Sequence, residues 1–251
     1  MATVVSPPEE KVVLRSITWT TYQALLADRG ETSNPRLTYD RGVLEIMSLS
    51  SEHEALKDVI VLLVNALAEE MNVDTWSFGS MTFRREDLAR GFEPDACFYV
   101  RNLPRVKGKT NLDLTIDPPP DLVIEIDITH SSLDKHSIFA SVGIPEVWRY
   151  DGSEWTIHRL IDGGCAVGGE SGILLGVDRS VISRFVESVR AVRASHAAGR
   201  RCLAQLPAAP SRSRAPVLAP SASARRCHPG QPAEMCRRVG YRIFRVSRRA
   251  T

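Results

Sequence analysis

Three carboxylates and a lysine stand at spacings that suit chemistry: Asp95, then Glu125-Ile126-Asp127, then Lys135. Asp95 lies in Gly91-Phe92-Glu93-Pro94-Asp95-Ala96-Cys97-Phe98-Tyr99-Val100, and the acidic pair lies in Pro120-Asp121-Leu122-Val123-Ile124-Glu125-Ile126-Asp127-Ile128. Both are strand-like apolar runs, where an unpaired buried carboxylate is costly. Val123, Ile124, Ile126 and Ile128 are β-branched, which favours a strand over a helix. Glu125 and Asp127 sit two apart and therefore share one face of that strand. Like charges on one face repel unless they are protonated, paired or bridged by a cation. One reading is a divalent metal site at the edge of a sheet. The other is a half-exposed strand with a solvated acidic face.

Phosphodiester hydrolysis would use the first arrangement. It needs a divalent cation to offset phosphate charge, an activated water and a stabilised leaving oxygen. Carboxylates on adjacent strands hold Mg2+, which prefers octahedral oxygen coordination, and the Ile126 carbonyl is a further oxygen donor. Lys135, in the first turns of the next helix, is within reach of the strand end; its plain alternative is a solvated helix lysine. Glu45 is a third acidic candidate. Glu52, His53 and Glu54 are accessory candidates, but they occupy a first helical turn, where acids are favoured by the helix dipole alone. His53 reads first as a structural hydrogen-bond partner and second as a ligand.

The elements that must position these residues follow from periodicity. A short helix is expected over 18–27, capped by Thr18. Segments 36–39 and 43–47 form a hairpin around Asp40-Arg41-Gly42, with Glu45 in its second arm. Ser51 and Glu54 fit a capping box for a long helix to about Met71, opened by Ser50 or Ser51. Its apolar stripe is Leu56, Val59, Ile60, Leu63, Val64 and Leu67. Strands are expected over 75–84, 93–100 and 121–128, with a basic, loop-like stretch over 101–119. A helix over 132–142, capped by Ser131 or Ser132, ends at Gly143. A hairpin at 146–150 and 154–160, a loop at 163–172 and a helix at 179–192 close the domain.

Charge divides the chain. From Arg190 onward there are 14 arginines, no lysine and one acid, Glu234; residues 1–189 carry 18 basic and 29 acidic groups, a net −11. The expected organisation is an irregular leader over 1–16, a folded domain over 17–192 and an Arg-, Ala- and Pro-rich tail over 193–251, taken as disordered, with a hint of a strand at 239–246. No apolar run approaches membrane-spanning length, and no signal-peptide core is present, so a cytoplasmic protein without a membrane partner is expected. Five cysteines at wide spacings, with no CxxC pair, suggest neither a disulfide framework nor a zinc site.

The ordered set resembles the Uma2, or DUF820, group of restriction-endonuclease-like proteins within the PD-(D/E)XK nuclease superfamily. The resemblance covers 17–189. It rests on Ser48-Leu49-Ser50-Ser51-Glu52-His53, Glu93-Pro94-Asp95, the Glu125 strand, Ser131-Ser132-Leu133-Asp134-Lys135 and Gly143-Ile144-Pro145-Glu146-Val147-Trp148-Arg149-Tyr150. It implies an α/β fold, a restriction-endonuclease-like mixed β-sheet flanked by helices. It also implies that Asp95 and Glu125 bind Mg2+ or Mn2+, with Glu45, Glu52 or Glu54 completing the shell. The superfamily lysine normally lies two residues after the glutamate. Here that position is Asp127, and Lys135 on the following helix matches the family's displaced lysine. The expected activity is Mg2+-dependent hydrolysis of DNA. A body carrying −11 is a poor general DNA surface, so Arg101, Arg105, Lys107 and Lys109 are the DNA-binding candidates, and a homodimer would build a groove. The rival expectation is a catalytically inactive nuclease-fold module with an interaction or structural role. A hydrolase of small phosphoesters is a third.

Overall fold

The computed structural model describes residues 9–203 except 33, 129–132 and 162, with side chains described as far as 192. The chain divides into two units, Met1–Leu206 and Pro207–Thr251, and the second lies outside the described residues, as do the expected caps Ser131 and Ser132.

In chain order the elements are β1 (Glu10–Leu14), α1 (Trp19–Arg29), β2 (Arg36–Asp40), β3 (Val43–Ser48), α2 (Ser51–Glu70), β4 (Trp76–Gly79) and β5 (Phe83–Arg85). After a 3-10 turn at Glu86–Leu88 come β6 (Arg90–Phe92), β7 (Ala96–Tyr99), α3 (Leu103–Val106), β8 (Leu122–Ile126), α4 (Lys135–Val142), β9 (Glu146–Tyr150), β10 (Trp155–Ile161), β11 (Gly164–Gly168) and α5 (Arg179–Leu203). They build a five-stranded sheet, β1-β3-β2-β6-β5, and a six-stranded sheet, β11-β10-β9-β8-β7-β4. The second is mixed, because β8 and β9 run parallel while its other pairs are antiparallel. The α/β expectation of mixed sheet and flanking helices holds.

Alternation along β8 places the site. Leu122, Ile124 and Ile126 face α2 and α5, in a core with Leu56, Ile60, Leu63, Val64, Ile182 and Val186. Burying each such side chain contributes roughly 1.5–3 kcal/mol. Val123 points the opposite way, against Ile138, Phe139 and Val142 of α4. Glu125 shares that side with Val123, so the strand's carboxylate emerges where α4 begins.

The five-stranded sheet has two buried faces of different chemistry. Leu37, Tyr39 and Leu44 pack with Tyr22 of α1. The register pairs Arg36 with Met47, Thr38 with Glu45 and Lys11 with Met47, so these side chains share the other face. Arg36, Thr38, Glu45 and Met47 are all buried. A polar sheet face normally meets water; this one meets the carboxylates.

The structure corrects several expectations. Residues 10–14 are a strand, not part of an irregular leader; charged residues followed by Val12-Val13-Leu14 alternate in exposure as β1 pairs with β3. The expected 93–100 strand breaks at Pro94, which cannot donate to a ladder. β6 belongs to one sheet and β7 to the other, so Glu93-Pro94-Asp95 is the crossover between them. The 75–84 strand likewise divides between the sheets as β4 and β5. The 163–172 loop contains β11, the 101–119 stretch contains α3, and α5 runs to Leu203. Ser50, rather than Ser51, caps α2 and accepts from the His53 amide at 3.1 Å. Asp134 caps α4, which begins at Lys135, and Gly143 ends it in the left-handed region as expected.

Candidate functional site

Four elements converge on Asp95. Its own position at the start of β7 is fixed by its backbone amide, which donates to the Ile124 carbonyl at 3.2 Å, and by its Oδ2, which accepts from the Ile126 amide at 2.5 Å. Its Oδ1 receives Arg36 Nη1 at 2.7 Å and His53 Nε2 at 2.7 Å. Arg36 comes from β2, and His53 from the capped first turn of α2. On the far side of the imidazole, His53 Nδ1 meets Glu9 Oε1 at 2.5 Å. Both ring nitrogens face carboxylate oxygens and both must donate, which makes the ring an imidazolium.

The Glu125 carboxylate is buried and pairs through Oε2 with Lys135 Nζ at 2.6 Å. Its Oε1 is buried with no hydrogen-bond partner. Asp127, one residue beyond β8, is held from two sides: Lys11 Nζ lies 3.0 Å from Oδ1 and Arg149 Nη2 lies 2.8 Å from Oδ2. Glu125 and Asp127 line one cleft of about 170 Å³, together with Lys135, His136, Phe139 and Arg149. The same-face expectation for this pair is met. Glu45 is 1% exposed, and its charge is felt by Lys135.

These pairings set the protonation states. Burial would raise the Asp95 carboxyl, but Arg36, then His53 and Lys135, outweigh it and hold the group at about 2. For Glu125 burial wins: the carboxyl is pushed up to about 7, with the Asp95 charge adding to the rise and Lys135 opposing it. Lys135 is driven above its ordinary value because Glu125, Asp95 and Glu45 overcome its burial. His53 is pushed up to about 9; burial lowers it, but the bonds to Asp95 and Glu9 and their charges prevail.

A pH dependence of stability follows from His53. A folded-state value near 9 against 6.5 unfolded contributes stability that is fully present below pH 6.5 and is lost as pH rises through 9, by about 3 kcal/mol at most. Urea unfolding of the chain at pH 6 and pH 9.5 is expected to show this loss, and His53→Gln is expected to flatten it. An equal loss in the variant would refute the assignment to His53.

The accessory acids divide. Glu52 is exposed and 4.0 Å from Arg190, and Glu54 pairs with Lys57 and lies 3.8 Å from Arg36. Neither touches Asp95 or Glu125 through a described bond, whereas His53 does. Among the described residues, no three His, Cys, Asp or Glu side chains are grouped to hold one metal ion. Asp95 precedes β7 and Arg101 follows it, so the basic stretch stands at the opposite strand end from Asp95. There Arg101 donates to the Gly172 carbonyl, Lys109 pairs with Asp117, and Arg105 and Lys107 are exposed.

Sequence reasoning missed Arg36, Lys11, Arg149 and Glu9. Arg149 was within reach, because in a strand it shares a face with Val147 and lies level with Glu125 of β8. Lys11 and Glu9 needed β1, where Val12 and Val13, a β-branched pair after three charged residues, were the strand signal. Arg36 had no signal, since polar residues alternating with Leu37 and Tyr39 read as a solvent face.

Among the described residues, no helix is long and apolar enough to cross a membrane. No curated protein matches the chain. Among solved structures, one titled "Crystal structure of a putative nuclease belonging to DUF820 from Anabaena variabilis ATCC 29413" is similar, at 14% identity and TM-score 0.48, covering 68% of this chain and 99% of that one. The family model described as "Uma2: Putative restriction endonuclease" matches residues 19–185. That match spans the elements from α1 into α5, including the strands of Glu125 and Arg149 and the crossover that holds Asp95, and the chain belongs to the Uma2 family.

Proposed function

We propose that the chain uses its nuclease fold as a non-hydrolytic interaction or structural module. The observation that carries this reading is the pair of cations on one oxygen, Arg36 and His53 on Asp95 Oδ1. A guanidinium does not deprotonate in a protein, so Arg36 is a permanent counter-ion in hydrogen-bond contact with that carboxylate. Lys135 on Glu125, and Lys11 and Arg149 on Asp127, extend the same compensation. A divalent cation entering here would meet positive charge already in place. Asp95, so held, does not fit the role of a Mg2+ ligand.

Glu125 Oε1 favours a second reading. A buried carboxylate oxygen without a partner, beside a cleft, is a donor suited to a cation. In that reading the chain is a Mg2+- or Mn2+-dependent endonuclease acting on DNA. Asp95 and Glu125 would be the ligands, with Glu45 as the third acid; Lys135 would position water or stabilise phosphate charge, and Asp127 would contribute charge, a contact to a ligand or an additional ligand. Arg101, Arg105, Lys107 and Lys109 would touch DNA, and a homodimer would shape the groove. The placement of those four basic residues at the other end of β7 does not help it.

Nicking of supercoiled plasmid by the purified chain, with Mg2+ and with Mn2+, separates the two. The first reading expects no cleavage above the metal-free background. Metal-dependent cleavage that disappears in Asp95→Ala, Glu125→Ala and Lys135→Ala would overturn it and establish the second.

A further inference from the structure

His136 and His158 meet on the side of the six-stranded sheet that carries α4. His158 of β10 lies level with Val147 of β9, and Val147 packs against Ile138, Phe139 and Val142 of α4. His136 is the second residue of α4. The two half-buried rings are 4.2 Å apart between centroids and tilted by 37°. From the edge strand β11, Cys165 Sγ donates to the His136 carbonyl at 3.6 Å. The ring pair thus ties the first turn of α4 to β10, and Lys135, which holds Glu125, is the adjoining residue.

The surroundings suit two uncharged rings. The Thr156 hydroxyl has one proton and gives it to the Arg149 carbonyl at 3.3 Å. It therefore accepts from His158 Nε2 at 2.9 Å, which leaves a lone pair on His158 Nδ1. His136 Nδ1 is buried with no hydrogen-bond partner. His53 has the opposite arrangement, with a carboxylate on each ring nitrogen. The charged and titratable groups facing the pair are Arg149 of β9, Asp134 and Lys135 at the start of α4, Glu125 and Asp127 at the end of β8, and Cys165 of β11. Burial and then Arg149 lower His136, against the pull of Asp134 and Asp127. Burial, then His136 and Arg149, push His158 down to about 4. Burial raises the Cys165 thiol, so it adds no charge.

We infer that the stacked His136–His158 pair is a proton-sensitive clasp on α4: it closes with both rings neutral, and a proton on either one releases the first turn of α4, and Lys135 with it, from the sheet. In the closed stack an added proton puts a second cation beside Arg149 and, at His136 Nδ1, a buried N–H without an acceptor. In the open state both rings are solvated and take up protons near the ordinary histidine value. The open state therefore binds more protons, and acid favours it. The closed clasp is fully stabilised above pH 6.5 and loses that stabilisation as the pH falls toward 4. His136 and His158 act on Glu125 through Lys135 and are positioning residues. The clasp stands whether or not the carboxylates bind a cation.

Amide hydrogen exchange of the full chain, read by mass spectrometry over residues 133–142 and corrected for the intrinsic effect of pH, tests this. Opening in the unaltered chain is expected to rise about thirtyfold between pH 7.5 and pH 5, the ratio set at pH 5 by 6.5 in the open state against about 4 in the closed one. His158→Phe keeps a ring in the stack and takes no proton, and it is expected to lose most of that rise. Glu125 also titrates, near 7, and supplies the part that persists. Circular dichroism reports whether the variant folds. No rise in the unaltered chain overturns the clasp, and so does an equal rise in folded His158→Phe. His158→Gln retains a donor for Thr156 and carries the same expectation if the phenylalanine variant does not fold. Loss of the fold in both assigns His158 a purely structural role and also overturns the proposal. Proton magnetic resonance of the imidazole Cε1–H groups in the unaltered chain gives a reading without any variant: a His158 midpoint near 4 is expected, and one at the ordinary 6.5 overturns the clasp.

Discussion

Arg36→Met is expected to destabilise the chain by about 3–5 kcal/mol, the usual cost of removing one partner from a buried ion pair. Arg36 and Asp95 are 3% and 2% exposed, so water cannot replace the lost guanidinium. Arg36 also donates to the Glu93 carbonyl at 3.4 Å, at the point where the chain passes from one sheet to the other. The loss therefore falls on the crossover that aims Asp95. Urea unfolding of the variant measures it. Adding Asp95→Asn is expected to recover part of the loss, because the uncompensated charge is then gone. Arg36→Lys is expected to recover little, since a single ammonium cannot reproduce the planar fork. A loss below about 1 kcal/mol for Arg36→Met, the range of a solvated surface pair, would mean that Asp95 is not held as described.

Gly91→Ala is the second large effect, and its cause is space rather than backbone freedom. A Cβ at Gly91 would lie 2.2 Å from the Tyr22 hydroxyl and 2.6 Å from two ring carbons. Tyr22 is fully buried and stacked on Tyr39, with ring centroids 5.0 Å apart, and Trp19 lies tilted against both rings, 5.2 Å from Tyr22. Gly91 cannot retreat, because it pairs with Tyr39 of β2 and Arg84 of β5. Overpacking of this kind costs about 3 kcal/mol. A thermal melt is expected to show a fall of roughly 6–12 °C. Tyr22→Phe in the same background removes the nearest atom but leaves the ring carbons, so only partial recovery is expected. A melt unchanged by Gly91→Ala would refute the close approach of Tyr22.

Local chemistry made the helices and hairpins legible. Thr18 caps α1, and Asp40-Arg41-Gly42 turns the β2–β3 hairpin with positive φ at Arg41 and Gly42, as that turn requires. The apolar stripe of α2 is the one that packs. Lys135 was legible because a helix following the Glu125 strand returns its first residue to the strand end, and the two side chains meet at 2.6 Å. Three things were hidden for physical reasons. β11 is rich in glycine, which weakens strand propensity, and it is held by its ladder with β10. The change of sheet at Pro94 turns on one missing amide inside an otherwise continuous apolar run. The polar face of the five-stranded sheet, with Arg36, Thr38 and Glu45, is buried, and no local pattern distinguishes such a face from one turned to water. Arg36 and Lys11, one cation on each of Asp95 and Asp127, stand on that hidden face, which is why the carboxylates could be named from sequence and their charge state could not.

The Lys11–Asp127 contact also orders the assembly of the molecule in time. The two residues are 116 positions apart in the chain. At a synthesis rate of about 5–20 residues per second, Asp127 is made roughly 6–23 s after Lys11. The β1 ladder joins Glu10 to Ser48 and Leu14 to Leu44, so its partner strand is complete long before β8 is. On a ribosome β1 therefore docks by backbone pairing first, and its ammonium waits in water for the carboxylate it will neutralise. A nascent chain halted before Asp127 would hold β1 without that counter-charge, and Arg149, the second cation on Asp127, follows 22 residues later.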